Sequence, residues 1–237
     1  VVYRLLTDLD VACRKSGLKV IEVPGWKNRG RPGQFFPRGV VAHHTGSEGG
    51  GMGVAGGILT QGRPGLNGPL CQLGLGRNGE VYVIAAGRAN HAGLVRRVNF
   101  LAAGDGNTQS LGIEAMLSGS EPWPGSMEDD YHRLVAALCD YYGWPRTNVV
   151  SHAECSTAGK WDPGVNGKTI DMAAFRRAVK AVTSTKEKQM TPKQDAMLRV
   201  VYNAVKNGKK GVRTDGEVTR IVKSIDRRLS ALEKKVG

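Results

Sequence analysis

Two histidines and one aspartate carry the strongest chemical signal in the chain. His43 closes GVVAH and His152 closes NVVSH, two short β-rich apolar runs. Neighbouring strands of one sheet would bring both imidazoles to the same edge. Ten residues past His152 lies Asp162 in GKWDPG, where Pro163 and Gly164 enforce a turn. Two neutral imidazoles and one carboxylate are the ligand set of an open catalytic zinc site, with a fourth position left for water. Cys155, three residues after His152, could stand in for Asp162 as third ligand; its competing role is a buried, inert thiol. His44 follows His43 directly, and successive strand residues face opposite sides, so only one of the pair can enter the site. Glu114 sits in SLGIE, a strand-like run in which Glu is a depleted residue type. From the residue alone, a solvent-facing strand position and a catalytic carboxylate both stay open. Lys160, two residues before Asp162, would aim a positive charge at negative charge developing near a metal. His132 lies on a helical stretch with no partner motif and reads as a surface residue.

The surrounding pattern supplies elements to position these groups. Apolar residues at Val2, Leu5, Leu6, Leu9 and Cys13 have the spacing of one helix face, closed by Gly17. LKVIEVPGW reads as a strand ended by Pro24 and Gly25. GSEGGGMGVAGG lacks the G-K-[ST] of a phosphate-binding loop and reads as a flexible loop. Two apolar runs flank Asn78-Gly79, the preferred pair for a two-residue type I′ hairpin. SLGIEAML is a strand. EDDYHRLVAALCDYYG is a helix with Tyr131, Leu134, Val135, Leu138 and Tyr142 on one face and acids in its first turn. DMAAFRRAVKAV closes the unit as a helix facing inward through Phe175, Ala178, Val179 and Val182. Strands alternating with helices, plus one hairpin, predict an α/β fold: a central mixed sheet flanked by helices.

The 237 residues carry a formal charge of +13, which suits a polyanionic partner or surface. Residues 183–237 hold 14 Lys and Arg against 6 acids, so +8 of that charge lies in the last quarter. This asymmetry predicts two parts, a catalytic domain over 1–182 and a basic helical tail over 183–237. In the tail, Thr191-Pro192 suits the start of one helix and Thr214 to Glu217 a capping box for another. Val218, Val222, Ile225, Leu229, Leu232 and Val236 then follow a heptad spacing. Oligomerisation through 214–237 as a short coiled coil and a helical hairpin are both open. Four scattered cysteines without a CxxC pair predict reduced, buried thiols. No apolar run approaches the length of a membrane helix, so no membrane insertion is expected. The N-terminal stretch has no secretory-signal pattern, so synthesis in a cytosol is the expectation. No base-reading motif supports a specific nucleic-acid partner.

VVAHHTG, GRNGEVYVIAAGRANHAG, GNTQSLGIEAM, SHAE and GKWDPG, in this order, resemble the zinc-dependent N-acetylmuramoyl-L-alanine amidases. That group includes type-2 amidases, peptidoglycan recognition proteins and phage lysins. The resemblance spans about residues 38–182. The basic opening GLKVIEVPGWKNRGR looks most like lysins of phages that infect actinobacteria. The resemblance implies that His43, His152 and Asp162 hold one Zn2+ and that Glu114 is the base acting on the attacking water. It further implies that Lys160 stabilises the oxyanion. His91 of NHAG matches a histidine the family keeps near the site, and with Asn107 and Asn90 it is expected in substrate binding or behind the ligands. The family often has Trp where this chain has Asn90, so the substrate wall there differs. His44 is expected to point away and pack or solvate.

The implied activity is peptidoglycan hydrolysis at the amide between N-acetylmuramic acid and L-alanine, by a lysin acting on the cell wall after release. The basic tail would hold it on anionic wall polymers. Three rivals remain at this stage: a binding module that keeps the groove without cleaving, a zinc peptidase cutting within the stem peptide, and an assembly subunit built on the tail's heptads. Binding modules of this kind typically lack the third ligand, which Asp162 supplies here.

Overall fold

A six-stranded mixed sheet forms the centre of the molecule, in a computed structural model that describes residues 5–183. Its strands are β1 (Val20–Glu22), β2 (Val40–His44), β3 (Leu73–Leu75), β4 (Val81–Val83), β5 (Leu111–Ala115) and β6 (Val149–Ser151). They lie in the order β1-β4-β3-β5-β2-β6. Strands β3, β5, β2 and β6 run parallel; β4 is antiparallel to β3, and β1 runs parallel to β4. The α/β expectation holds.

Three helices cover one face, and loops with short helices cover the other. On the helical face, Val40, Ala42, Leu111, Ile113 and Val149 pack with residues of α1 (Leu9–Arg14), α4 (Met127–Tyr142) and α6 (Met172–Ala181). On the other face, Val41 and Val150 pack with Ala92, Val95, Leu101 and Cys155. The stretch VVAHH is therefore buried along its whole length, as a strand covered on both sides requires. Helix α4 buries the expected stripe of Tyr131, Leu134, Val135 and Leu138. It ends where Gly143 takes a left-handed conformation (φ 70°). Helix α6 buries Met172, Phe175 and Val179, and the Asp171 carboxylate accepts from the N–H groups of Ala173 and Ala174 at its start.

Four expectations need correction. The first helix is shorter than its apolar spacing suggested. Ahead of it, the Leu6 N–H donates instead to the Ala86 carbonyl (2.8 Å), in the segment that follows β4. The hairpin joining β3 and β4 is not a two-residue I′ turn. Gly76 and Glu80 pair, leaving a three-residue loop in which Gly79 alone is left-handed (φ 80°), a type I turn with a bulge. A Cβ at Gly79 would sit 2.5 Å from the Asp130 carboxylate of α4, so packing on that helix helps to select the glycine. The Gly-rich tract is a loop only over residues 46–50; its second half forms α2 (Gly51–Gly56), and α3 (Ile58–Gln61) follows it. Burial of Ala55 and Leu59 beside Ile84 and Met116 overrides the poor helix propensity of glycine. Finally, His132 is not a surface residue. It is buried against Phe175, with ring centroids 4.5 Å apart, because α6 lies over that flank of α4. Burial lowers its pKa below the usual histidine value. The two tail helices and the heptad seam fall on residues 184–237 and lie outside the described residues.

One side chain of α4 locks the sheet at the level of the histidines. The Tyr131 hydroxyl donates to the Ile113 carbonyl of β5 (2.7 Å) and accepts from the His43 N–H of β2 (3.2 Å). It satisfies two buried backbone groups at once. Replacing Tyr131 with Phe orphans both, a loss of about 1–3 kcal/mol for an unsatisfied buried group. Urea unfolding of the Tyr131→Phe variant should show that decrease at an unchanged slope.

Candidate metal centre

Three adjacent parallel strands deliver the site at their carboxyl ends, where open α/β sheets form crevices. In the pairing of β2 with β5, His43 lies opposite Glu114, so both side chains leave the same face. Strand β6 pairs Val150 with Val41 and Ser151 with Ala42, which places His152 level with His43 one step further on. His152 is the first residue of the short helix α5 (His152–Cys155). That start is fixed by a capping box: the Ser151 hydroxyl accepts from the Glu154 N–H, and the Glu154 carboxylate accepts from the Ser151 N–H. Arg176 of α6 grips both Glu154 oxygens at 2.9 Å and ties α5 to the helical layer.

The chain brings His43, His152 and Asp162 together, with one ligand atom from each lying within 4.8 Å of the others. Asp162 Oδ2 is 3.0 Å from His43 Nδ1 and 3.1 Å from His152 Nδ1. Cys155 is not part of this cluster. Its sulfur lies 3.7 Å from the His152 carbonyl, and burial pushes the thiol up to about 12, as an inert core cysteine should be. All four cysteines are free and buried, as expected.

The histidine network fixes which nitrogens carry protons. His91 Nε2 lies 3.3 Å from the Ser110 carbonyl, which can only accept, so Nε2 holds the proton and Nδ1 is bare. His43 Nε2 lies 3.1 Å from that bare nitrogen and must donate to it. Burial and the neighbouring His152 depress the His43 pKa to about 4, so the ring is neutral and its Nδ1 is also bare. Burial alone would raise the Asp162 carboxyl, but the adjoining His152 and His43 rings outweigh it and hold the group well below the usual carboxylate range. A bare nitrogen thus faces an ionised oxygen at 3.0 Å. Two electron pairs at that distance repel unless a cation lies between them, and neutral imidazole with ionised carboxylate is what a metal ion requires. The residues present fit a metal ion.

Glu114 adds a second unmet demand. Its Oε2 is buried with no hydrogen-bond partner. Burial and the nearby charge of Asp162 raise its carboxyl well above the usual range, while the Lys160 charge opposes that rise. Lys160 itself is exposed to solvent, within electrostatic reach of Glu114. Asn107 is a support for His91, not a site-facing group: its Oδ1 accepts from the N–H groups of His91, Ala92 and Gly93 at 2.8–3.3 Å. Asn90 likewise donates to the Asn67 carbonyl (2.9 Å) and braces a neighbouring loop.

Sequence reasoning missed several positioning residues. His44 does pack away from the metal ligands, yet it is engaged: its Nδ1 accepts from the Gly164 N–H (3.0 Å), and its ring meets Trp161 edge-on. The turn carrying Asp162 is thereby pinned to β2. Gly112 makes room for His91, since a Cβ there would lie 2.6 Å from the imidazole. Two signals were available, the S-x-x-E spacing of SHAE and a glycine inside a strand. The Ser110 and Tyr131 contacts had none.

The Amidase_2 family, N-acetylmuramoyl-L-alanine amidase, matches residues 31–165, more than half of the chain, and the chain belongs to this family. These hydrolases cut the amide joining N-acetylmuramic acid to L-alanine in peptidoglycan. Solved structures share the fold at low identity. AmpD is 21% identical, with 68% of this chain and 93% of AmpD covered and a TM-score of 0.51. The amidase LysC from Clostridium intestinale is 18% identical, with 68% and 97% covered and a TM-score of 0.51. The PlyG catalytic domain is 17% identical, with 71% and 98% covered and a TM-score of 0.51. Among curated proteins no sequence match is found.

The His91 hydrogen bond orients His43 from behind, and partners of that kind typically contribute 10- to 100-fold in metal affinity. A His91→Ala variant should lose about that factor in a chelator-competition titration. Gly112→Ala, which displaces the same ring, should shift affinity in the same direction.

Proposed function

We propose that the chain is a zinc-dependent lysin-type amidase in which His43, His152 and Asp162 hold the ion, Glu114 is the general base and Lys160 steadies the oxyanion. The observation that supports this most is one Asp162 oxygen facing the bare Nδ1 of His43 and the Nδ1 of His152, with Glu114 in register beside His43. Zinc at such a site supplies a Lewis acid that brings the pKa of bound water towards about 7 and polarises a carbonyl.

The chain's own residues do the remaining work. Burial raises the proton affinity of the Glu114 carboxyl, and its unpartnered Oε2 can take a proton from the attacking water. The same carboxyl returns that proton to the leaving L-alanine nitrogen. Lys160 is exposed, with its ammonium available to the oxygen of the lactyl carbonyl as negative charge develops there. His91 fixes the tautomer and orientation of His43 throughout.

The presence of Asp162, Glu114 and Lys160 together favours a cleaving enzyme over a binding module. The lysin role and an actinobacterial wall as target rest on the resemblance of the five motifs and of GLKVIEVPGWKNRGR. The +8 charge of residues 183–237 suits adhesion to anionic wall polymers.

Glu114→Gln should lower kcat about 100-fold or more with zinc content unchanged, as expected for loss of a general base. His43→Ala should instead lose the metal. Kinetics of N-terminal L-alanine release from purified peptidoglycan, alongside zinc determination, separate the two. Full turnover by a zinc-loaded Glu114→Gln protein would contradict the assignment.

A further inference from the structure

Trp161 stands between Lys160 and Asp162, and neither the ligand set nor the proton transfers use it. Its side chain is 42% exposed, although it is one of the largest apolar groups in the chain. A single exposed apolar residue needs no explanation. What sets Trp161 apart is how much of the structure is shaped to hold it. Its ring meets the buried His44 edge-on, with centroids 4.6 Å apart. His44 in turn accepts from the Gly164 N–H, so the ring's support is itself locked.

Two glycines complete the seat. A Cβ at Gly164 would fall 2.1 Å from the indole, and one at Gly119 would fall 2.7 Å from it. Gly119 has a left-handed backbone (φ 82°) that favours glycine anyway. Gly164 has no positive φ, so close approach of the indole is the constraint that excludes a side chain there. The Thr169 hydroxyl also donates to the Trp161 carbonyl (2.8 Å), fixing the backbone beneath the ring. The indole is thus clamped from behind and bare in front. It rests on the segments that leave β2 and β5 just after His43 and Glu114, and its chain neighbour is the ligand Asp162.

A rigid, solvent-facing aromatic surface one residue from Asp162 suits a ligand with flat apolar C–H faces and polar edges, which is the character of a pyranose ring. We infer that Trp161 is a stacking platform for an N-acetylated amino-sugar ring of the glycan strand, holding the sugar while the amide beside it is cut. This rests on the amidase reading for the identity of the substrate, but binding tests it separately from cleavage. Preordering matters because a ring already fixed in the free protein loses little entropy when the sugar docks.

The experiment compares the full-length zinc-loaded chain with Trp161→Ala and Trp161→Phe by calorimetry. The probes are the peptide-free disaccharide N-acetylglucosaminyl-N-acetylmuramic acid and the sugar-free peptide L-alanyl-D-isoglutamine. Removing the ring should weaken disaccharide binding roughly tenfold, the scale of one aromatic contact. Peptide affinity and zinc content should stay as in the wild type, and Phe should restore most of the loss. Equal disaccharide affinity in wild type and Trp161→Ala, or no disaccharide binding by the wild type, would overturn the inference. So would a parallel loss of peptide affinity and zinc, which would make Trp161 a prop for the Asp162 turn. Failure of the wild type to release L-alanine, with the disaccharide difference intact, would count against the amidase reading alone.

Discussion

One oxygen of Asp162 faces the bare Nδ1 of His43 and the Nδ1 of His152 at about 3 Å, and the rest of the site follows from that contact. The arrangement is repulsive in isolation and becomes favourable around a cation. Each neighbouring feature keeps it that way. Burial keeps His43 neutral, Asp162 stays ionised between the two rings, and His91 keeps the His43 proton on the far nitrogen. A site prepared like this spends little on reorganisation when the ion arrives, which is the general advantage of a supported ligand shell.

The fold supplies that preparation in layers. Parallel strands fix His43, Glu114 and the start of α5 in register, so their relative heights are set by backbone pairing. Behind them, Tyr131 joins β2 to β5, and the capping box with Arg176 fixes the direction of His152. In front, His44 and its contacts hold the Asp162 turn. His43, His152 and Asp162 are therefore each held by a local device of their own. Beside the Asp162 turn, Lys160 and Trp161 are exposed to solvent.

The parts of this arrangement that local pattern controls were legible in the sequence. His43 and His152 stand out because each closes an apolar strand run, and helices α4 and α6 because their apolar stripes are long and regular. What depends on tertiary contact was not legible. The hairpin loop widened because Gly79 packs on α4, and the glycine tract became helical because Ala55 and Leu59 had a core to enter. His132 is covered by a helix some forty residues away in the chain. The relay from His43 through His91 to Ser110 joins segments that no spacing rule connects. The role of Glu114 lay between these cases: its residue type was odd for a strand, but only the register with His43 gives that oddness a partner.

The central claim is that a metal ion held by His43, His152 and Asp162 is required to cut the muramoyl–alanine amide. Its most direct test measures zinc per chain and N-terminal L-alanine release from peptidoglycan before chelation, after it, and after zinc is restored. About one zinc per chain, loss of release on chelation and recovery on reloading are expected for a three-ligand catalytic site. Undiminished release from the metal-free protein would contradict the account.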